Sequence, residues 1–224
     1  MKRARRALKA TSVILAAILT ALAFTILCSP EEDRINLARI IEEQSEQEDP
    51  ARKIDWDSLP EEIVAWVEVP GTRIDEPIVQ ASPNAPNAYL HKDVFCQGAY
   101  GTPYIDCECS IDSRFVMIYG HHMSDGTAFA DFASFSDEEY ARDHSRIVIY
   151  KRSGEALDLE ICAVDIVNAS REKLVIDQED DFGEVVGSAD LQLSNSSEAE
   201  QLFAFTTCSY QTRNSRTTVF AISR

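Results

Sequence analysis

The chain has 224 residues, 45% of them hydrophobic and 26% charged, with only 8 Gly and 8 Pro, which excludes collagen-like and low-complexity classes and leaves enough apolar material for one domain plus appendages. Lys and Arg number 21 against 38 Asp and Glu, and five of the bases (Lys2, Arg3, Arg5, Arg6, Lys9) fall in the first nine residues, which hold no acid. The other 16 bases therefore face all 38 acids, a net −22, and a surface that acidic repels phosphate backbones, so nucleic acid is not an expected partner.

Residues 10–30 carry no charge, and 13–28 are apolar apart from Thr20 and Thr25, close to the length that crosses a bilayer as a helix. A cleaved signal peptide is the competing reading. The stretch is longer than a usual signal core and its end, residues 25–30, lacks a small-x-small pattern, so an uncleaved anchor is expected. Cys28 as a lipid-bearing cysteine meets Leu27 where a small residue belongs. The bases ahead of the span keep the N-terminus inside, which puts the rest outside. The expected organisation is a cytoplasmic basic segment at 1–9, a signal-anchor in the cell membrane at 10–30, a polar stalk at 31–54 and an extracellular domain at 55–224.

Within that domain, Ser58 and Glu61 with Pro60 between them read as a capping box opening a short helix through Trp66. Strand-like runs follow at 66–69, 78–80, 103–105, 115–119, 146–150, 157–167, 202–207 and 217–222, a spacing that suggests a barrel or sandwich. Two helical pieces interrupt them, 127–135 and 136–144, the second opened by Ser136 and Glu139. No internal repeat is visible.

Setting Cys28 aside, five cysteines remain (Cys96, Cys107, Cys109, Cys162, Cys208), an odd number, so at least one thiol is free or pairs between chains. Disulfides among the first four, a metal site with His91, and unmodified thiols all stay open. Cys208 ends a strand-like run, as does His121 in Tyr119-Gly120-His121-His122, and Arg216 precedes the last run. A histidine beside a thiol can take its proton and later protonate a departing amine. A guanidinium can hydrogen-bond a developing oxyanion. Singly, a core cysteine, a surface histidine pair and a solvated arginine are the plainer readings; together the three stand at the edges of β elements of one domain, where a shared cleft is possible.

From about 58 to 222 the sequence resembles the sortases of Gram-positive bacteria, most closely their class B branch. The resemblance rests on Ile63-Val64-Ala65-Trp66-Val67-Glu68-Val69-Pro70-Gly71-Thr72-Arg73-Ile74-Asp75 with Pro77-Ile78-Val79-Gln80 behind it, on Tyr89-Leu90-His91-Lys92-Asp93, and on Gly101-Thr102-Pro103-Tyr104-Ile105-Asp106. It rests further on Ile118-Tyr119-Gly120-His121-His122-Met123 and Phe205-Thr206-Thr207-Cys208, where Phe205 and Thr206 replace the family's usual Leu and Ser. It implies an eight-stranded β-barrel with a few short helices, and a cysteine transpeptidase with Cys208 as nucleophile, His121 as general acid and base, and Arg216, in preference to Arg213, as the arginine. Thr207 and Ser209, flanking the nucleophile, are the expected substrate-binding positions. The segment 177–200 falls where class B members carry a helix-bearing connection, with Phe182, Val185 and Val186 as its helical signal. The implied partners are secreted proteins bearing a C-terminal sorting signal and, as acceptor, an amine of the peptidoglycan cross-bridge or of a pilin, with no cofactor or metal. Two rival functions stand beside it: a surface cysteine protease that resolves the same acyl-enzyme with water, and a non-enzymatic cysteine-rich module built on a metal held by His91, Cys96, Cys107 and Cys109.

Overall fold

Strict alternation of buried and half-exposed side chains begins at Ile63 and makes the first strand, β1 (Ile63–Glu68), with Ile63, Ala65 and Val67 turned to the core. The structure, a computed structural model, describes residues 52–95, 101–123, 126–168, 178–209 and 215–224, with the backbone alone at 168, 208 and 209. The expected basic segment and membrane span, and all but the last three residues of the expected stalk, lie outside the described residues. No helix among those described is long and apolar enough to cross a membrane.

The helix expected from Ser58 to Trp66 is not formed. Ser58 ends a single 3-10 turn, Trp56–Ser58, and its hydroxyl donates to the Asp55 carbonyl (2.8 Å) instead of capping a helix. Past Pro60 the period-2 pattern of Ile-Val-Ala-Trp-Val-Glu outweighs the local capping signal, because a helix would send Ile63, Ala65 and Val67 to different faces. The entering segment is held by Arg152, whose guanidinium donates to the carbonyls of Trp56 (2.8 Å), Pro60 (2.9 Å) and Ile63 (3.0 Å).

The remaining strands are β2 (Asp75–Gln80), β3 (Tyr104–Ile105), β4 (Phe115–Gly120), β5 (Arg146–Lys151), β6 (Ala156–Asn168), β7 (Leu191–Gln192), β8 (Gln201–Ser209) and β9 (Ser215–Ser223). Their order is β5-β1-β2-β3-β4-β8-β9-β6, and β6 pairs back onto β5, so eight strands close a barrel and no long edge is left open among the described residues. The short β7, not expected from sequence, pairs with β6. Two pairs are parallel, β2 with β3 and β4 with β8; the others are antiparallel.

Strands β8 and β9 are buried on both faces, which explains their nearly continuous apolar sequence. Phe203, Phe205, Val219 and Ala221 point into the barrel, while Leu202, Ala204, Phe220 and Ile222 form a second layer with Phe182 and Val186. Those last two belong to α2 (Phe182–Gly187), capped by Asp181, whose side chain accepts from the Glu184 N–H (3.1 Å). Ahead of it, the expected helical pair at 127–144 is a 3-10 run, Ala130–Ser136, then α1 (Glu138–Asp143). The spacing of three between Phe129, Phe132 and Phe135 suits a 3-10 period and stacks all three in the core. Asp137, not Ser136, caps α1, accepting from the Tyr140 N–H (3.0 Å); the Ser136 hydroxyl turns back to the Ala133 carbonyl (2.9 Å).

Candidate active site

The antiparallel register of β8 and β9 sets Cys208 opposite Arg216, Thr207 opposite Thr217 and Ser209 opposite Ser215. Directly opposed residues share a face of the sheet. On its other edge β8 runs parallel to β4, with Tyr119 beside Thr206 and Gly120 beside Thr207. His121 leaves β4 at the next residue, so all three residues singled out from sequence are brought to one end of three adjacent strands.

Gly120 is needed here for a reason other than a turn. A Cβ on it would fall 2.3 Å from Phe129 Cδ2, so only glycine lets the strand exit close over that ring. The chain beyond the histidine is then held by Arg73, whose backbone N–H (2.9 Å) and Nη2 (2.8 Å) both donate to the Asp131 carboxylate. Burial alone would push the Asp131 carboxyl up, but the Arg73 hydrogen bonds outweigh it and hold the group below the ordinary value of 3.8. Its stabilising contribution is therefore complete above that value and lost as the pH falls through the lower, folded one. In urea titrations between about pH 5 and pH 2, Arg73→Ala is expected to show a shallower loss of stability than the parent; equal slopes would remove the Asp131 linkage.

A cleft of about 360 Å³ opens at this end of the barrel, lined by His121, Arg216, Thr206 and Thr207 and walled by Tyr104, Asp106 and Tyr119. Arg216 is exposed. The His121 ring lies beside that of His91, centroids 5.9 Å apart, and its Nε2 is hydrogen-bonded to the Leu90 carbonyl. Burial, with the Asp106 charge next, pushes the Tyr119 hydroxyl up to about 12, so it remains a neutral donor throughout the working pH range. Thr207 lines the cleft, yet its side chain is buried on the interior side of β8 and, among the described residues, its hydroxyl has no hydrogen-bond partner, as is true of Thr217 opposite. The Thr206 hydroxyl instead meets that of Thr218 (3.0 Å). Arg213 and Cys96 lie outside the described residues.

Cys107, Cys109 and Cys162 are free thiols. Cys162 is a core residue whose thiol burial pushes up to about 12. No group of three or more His, Cys, Asp or Glu able to hold a metal ion occurs among the described residues. Tyr104, Asp106, Tyr119 and the Leu90 carbonyl were not among the sequence-derived site residues. Tyr119 alone had a usable signal, standing two residues before His121 at the end of the same strand.

A closed eight-stranded β-barrel with a few short helices matches the sortase fold. No family model matches the chain. It is 30% identical over 114 residues to sortase B of Listeria monocytogenes, a match spanning 49% of this chain and 45% of the relative's length. Among solved structures, sortase B of Clostridium perfringens superposes with a TM-score of 0.61 at 25% identity, covering 73% of this chain and 94% of that one. A Staphylococcus aureus sortase B–substrate complex superposes with a TM-score of 0.62 at 18% identity, covering 75% and 82%. The chain is class B sortase-like.

Proposed function

We propose that this protein is a membrane-anchored cysteine transpeptidase of the sortase type, its N-terminus inside the cell and its barrel on the extracellular face. The reading rests on one observation above the others, the register that opposes Cys208 to Arg216 one strand away from Gly120 and His121. The Cys208 thiolate attacks the carbonyl carbon of the scissile bond in a C-terminal sorting signal. Arg216 stabilises the resulting oxyanion. As the C–N bond breaks, the His121 imidazolium gives its proton to the leaving amine, and a thioester to Cys208 remains. An acceptor amine, from a peptidoglycan cross-bridge or a pilin, then attacks the thioester, His121 takes the proton, and the thiolate is released. Thr207 and Ser209 flank the nucleophile as substrate-binding positions; the burial of the Thr207 side chain favours its backbone for that contact.

The test is the intact mass of the full chain after incubation with a pool of sorting-signal peptides, beside Cys208→Ala. A peptide-sized adduct on the parent alone is the expected result, and added amine should discharge it into a peptide–amine product. An adduct that persists on Cys208→Ala, or no adduct on a folded chain whose Cys208 still reacts with a thiol reagent, would sink the assignment.

A further inference from the structure

A carbonyl oxygen can only accept a hydrogen bond, so the contact between His121 Nε2 and the Leu90 carbonyl requires a proton on Nε2. That holds for the neutral ring as well as for the imidazolium. The nitrogen left to gain and lose a proton is then Nδ1.

The surroundings of the ring support the same orientation. A Cβ on Gly101 would lie 2.8 Å from His121 Cδ2, 2.5 Å from the Leu90 oxygen and 2.7 Å from the Tyr89 oxygen. Cδ2 and Nε2 form one edge of the imidazole, so that edge is the one seated against Gly101 and Leu90, and the Nδ1–Cε1 edge faces away. Gly101 also has φ +75°, a conformation that favours glycine. The carbonyl itself is held in place. Leu90 closes a 3-10 turn through its N–H to Asn87 (3.1 Å). The strand-like segment after Gly101 is tied to the same turn by Thr102, whose N–H donates to the Tyr89 carbonyl (3.0 Å) and whose hydroxyl accepts from the Val94 N–H (2.9 Å).

We infer that the Leu90 carbonyl, given its approach by Gly101, fixes the tautomer of His121, so that Nδ1 is the nitrogen that exchanges protons with the leaving and incoming amines. Gly101 and Leu90 are positioning residues in this account, acting through His121. The inference rests on the transpeptidase reading for the role of Nδ1, while the tautomer follows from the hydrogen bond alone. A glycine at 101 is thus required for the proton-transfer geometry as well as for its backbone angle.

Long-range proton–nitrogen correlation spectra of the full chain labelled with 15N-histidine read the tautomer directly, with His91→Gln, His122→Gln and His144→Gln assigning the four rings. The neutral His121 ring should carry its proton on Nε2. Gly101→Ala should give a mixture of tautomers and lower kcat for thioester formation by about 10- to 100-fold, the range a small misplacement of an acid–base group produces, with KM held within about twofold. Leu90→Ala, which keeps the carbonyl, should preserve the Nε2 tautomer. A neutral His121 protonated on Nδ1 in the parent would overturn the inference even if Gly101→Ala failed to fold. So would a folded Gly101→Ala that kept both tautomer and kcat. A chain that forms no thioester yet holds its proton on Nε2 would remove the transpeptidase reading and support the orientation; a thioester-forming chain with Nδ1 protonated would do the reverse.

Discussion

Arg216→Ala is expected to lower kcat/KM for thioester formation by about 10²- to 10³-fold, the usual loss when one oxyanion donor is removed, whereas Arg213→Ala should change it only a few-fold. The register explains the asymmetry, since Arg216 is the direct cross-strand partner of Cys208. Arg216→Lys should recover little, because an ammonium on a flexible stem does not reproduce the planar fork of donors. The loss should fall on kcat more than on KM if the guanidinium acts on charge that develops in the transition state. Single-turnover rates for the three variants decide it: comparable defects at 213 and 216, or a defect at 213 alone, would transfer the role to Arg213.

The second large effect concerns stability. Phe205→Ala is expected to cost about 3–5 kcal/mol, the range for deleting a buried aromatic side chain. Phe205 is fully buried and stacks on Phe132 with centroids 5.2 Å apart, with Phe129 at 6.3 Å and Phe203 at 6.2 Å. It therefore joins β8 to the 3-10 run that follows the histidine loop. Phe205→Leu, which keeps most of the volume, should cost under about 1.5 kcal/mol. Urea unfolding at constant slope measures both; a shift below about 1 kcal/mol for the alanine variant would show that the cluster does not hold these two elements together.

Most of the barrel was legible because its strands are either buried on both faces, as in β8 and β9, or alternate cleanly. The helix expected at 58–66 shows where local signals fail. A capping pattern describes two or three residues, whereas the pairing of β1 with β2 and β5 is decided by side chains distant in sequence. The two-residue β7 has too few positions to carry a period. At the site, Cys208, His121 and Arg216 were singled out as candidates by their chemistry and their places beside strand-like runs, and the resemblance kept Arg216 ahead of Arg213. Asp106 escaped because a single carboxylate among 38 acids has nothing to mark it. The Leu90 carbonyl escaped because every residue has one; only the fold says which carbonyl meets the imidazole.

The parallel pairing of β4 with β8 also bears on when the chain can acquire its chemistry. The Thr206 hydroxyl reaches Met117 Sδ across that pair, joining positions 89 apart in sequence (3.6 Å). Long loops must close before such contacts stabilise anything, which places this pairing among the slow steps of folding. A chain still emerging has β4 and the histidine long before it has β8 and the cysteine. On the proposed reading, the cysteine and the histidine therefore come into register only when this late pairing forms.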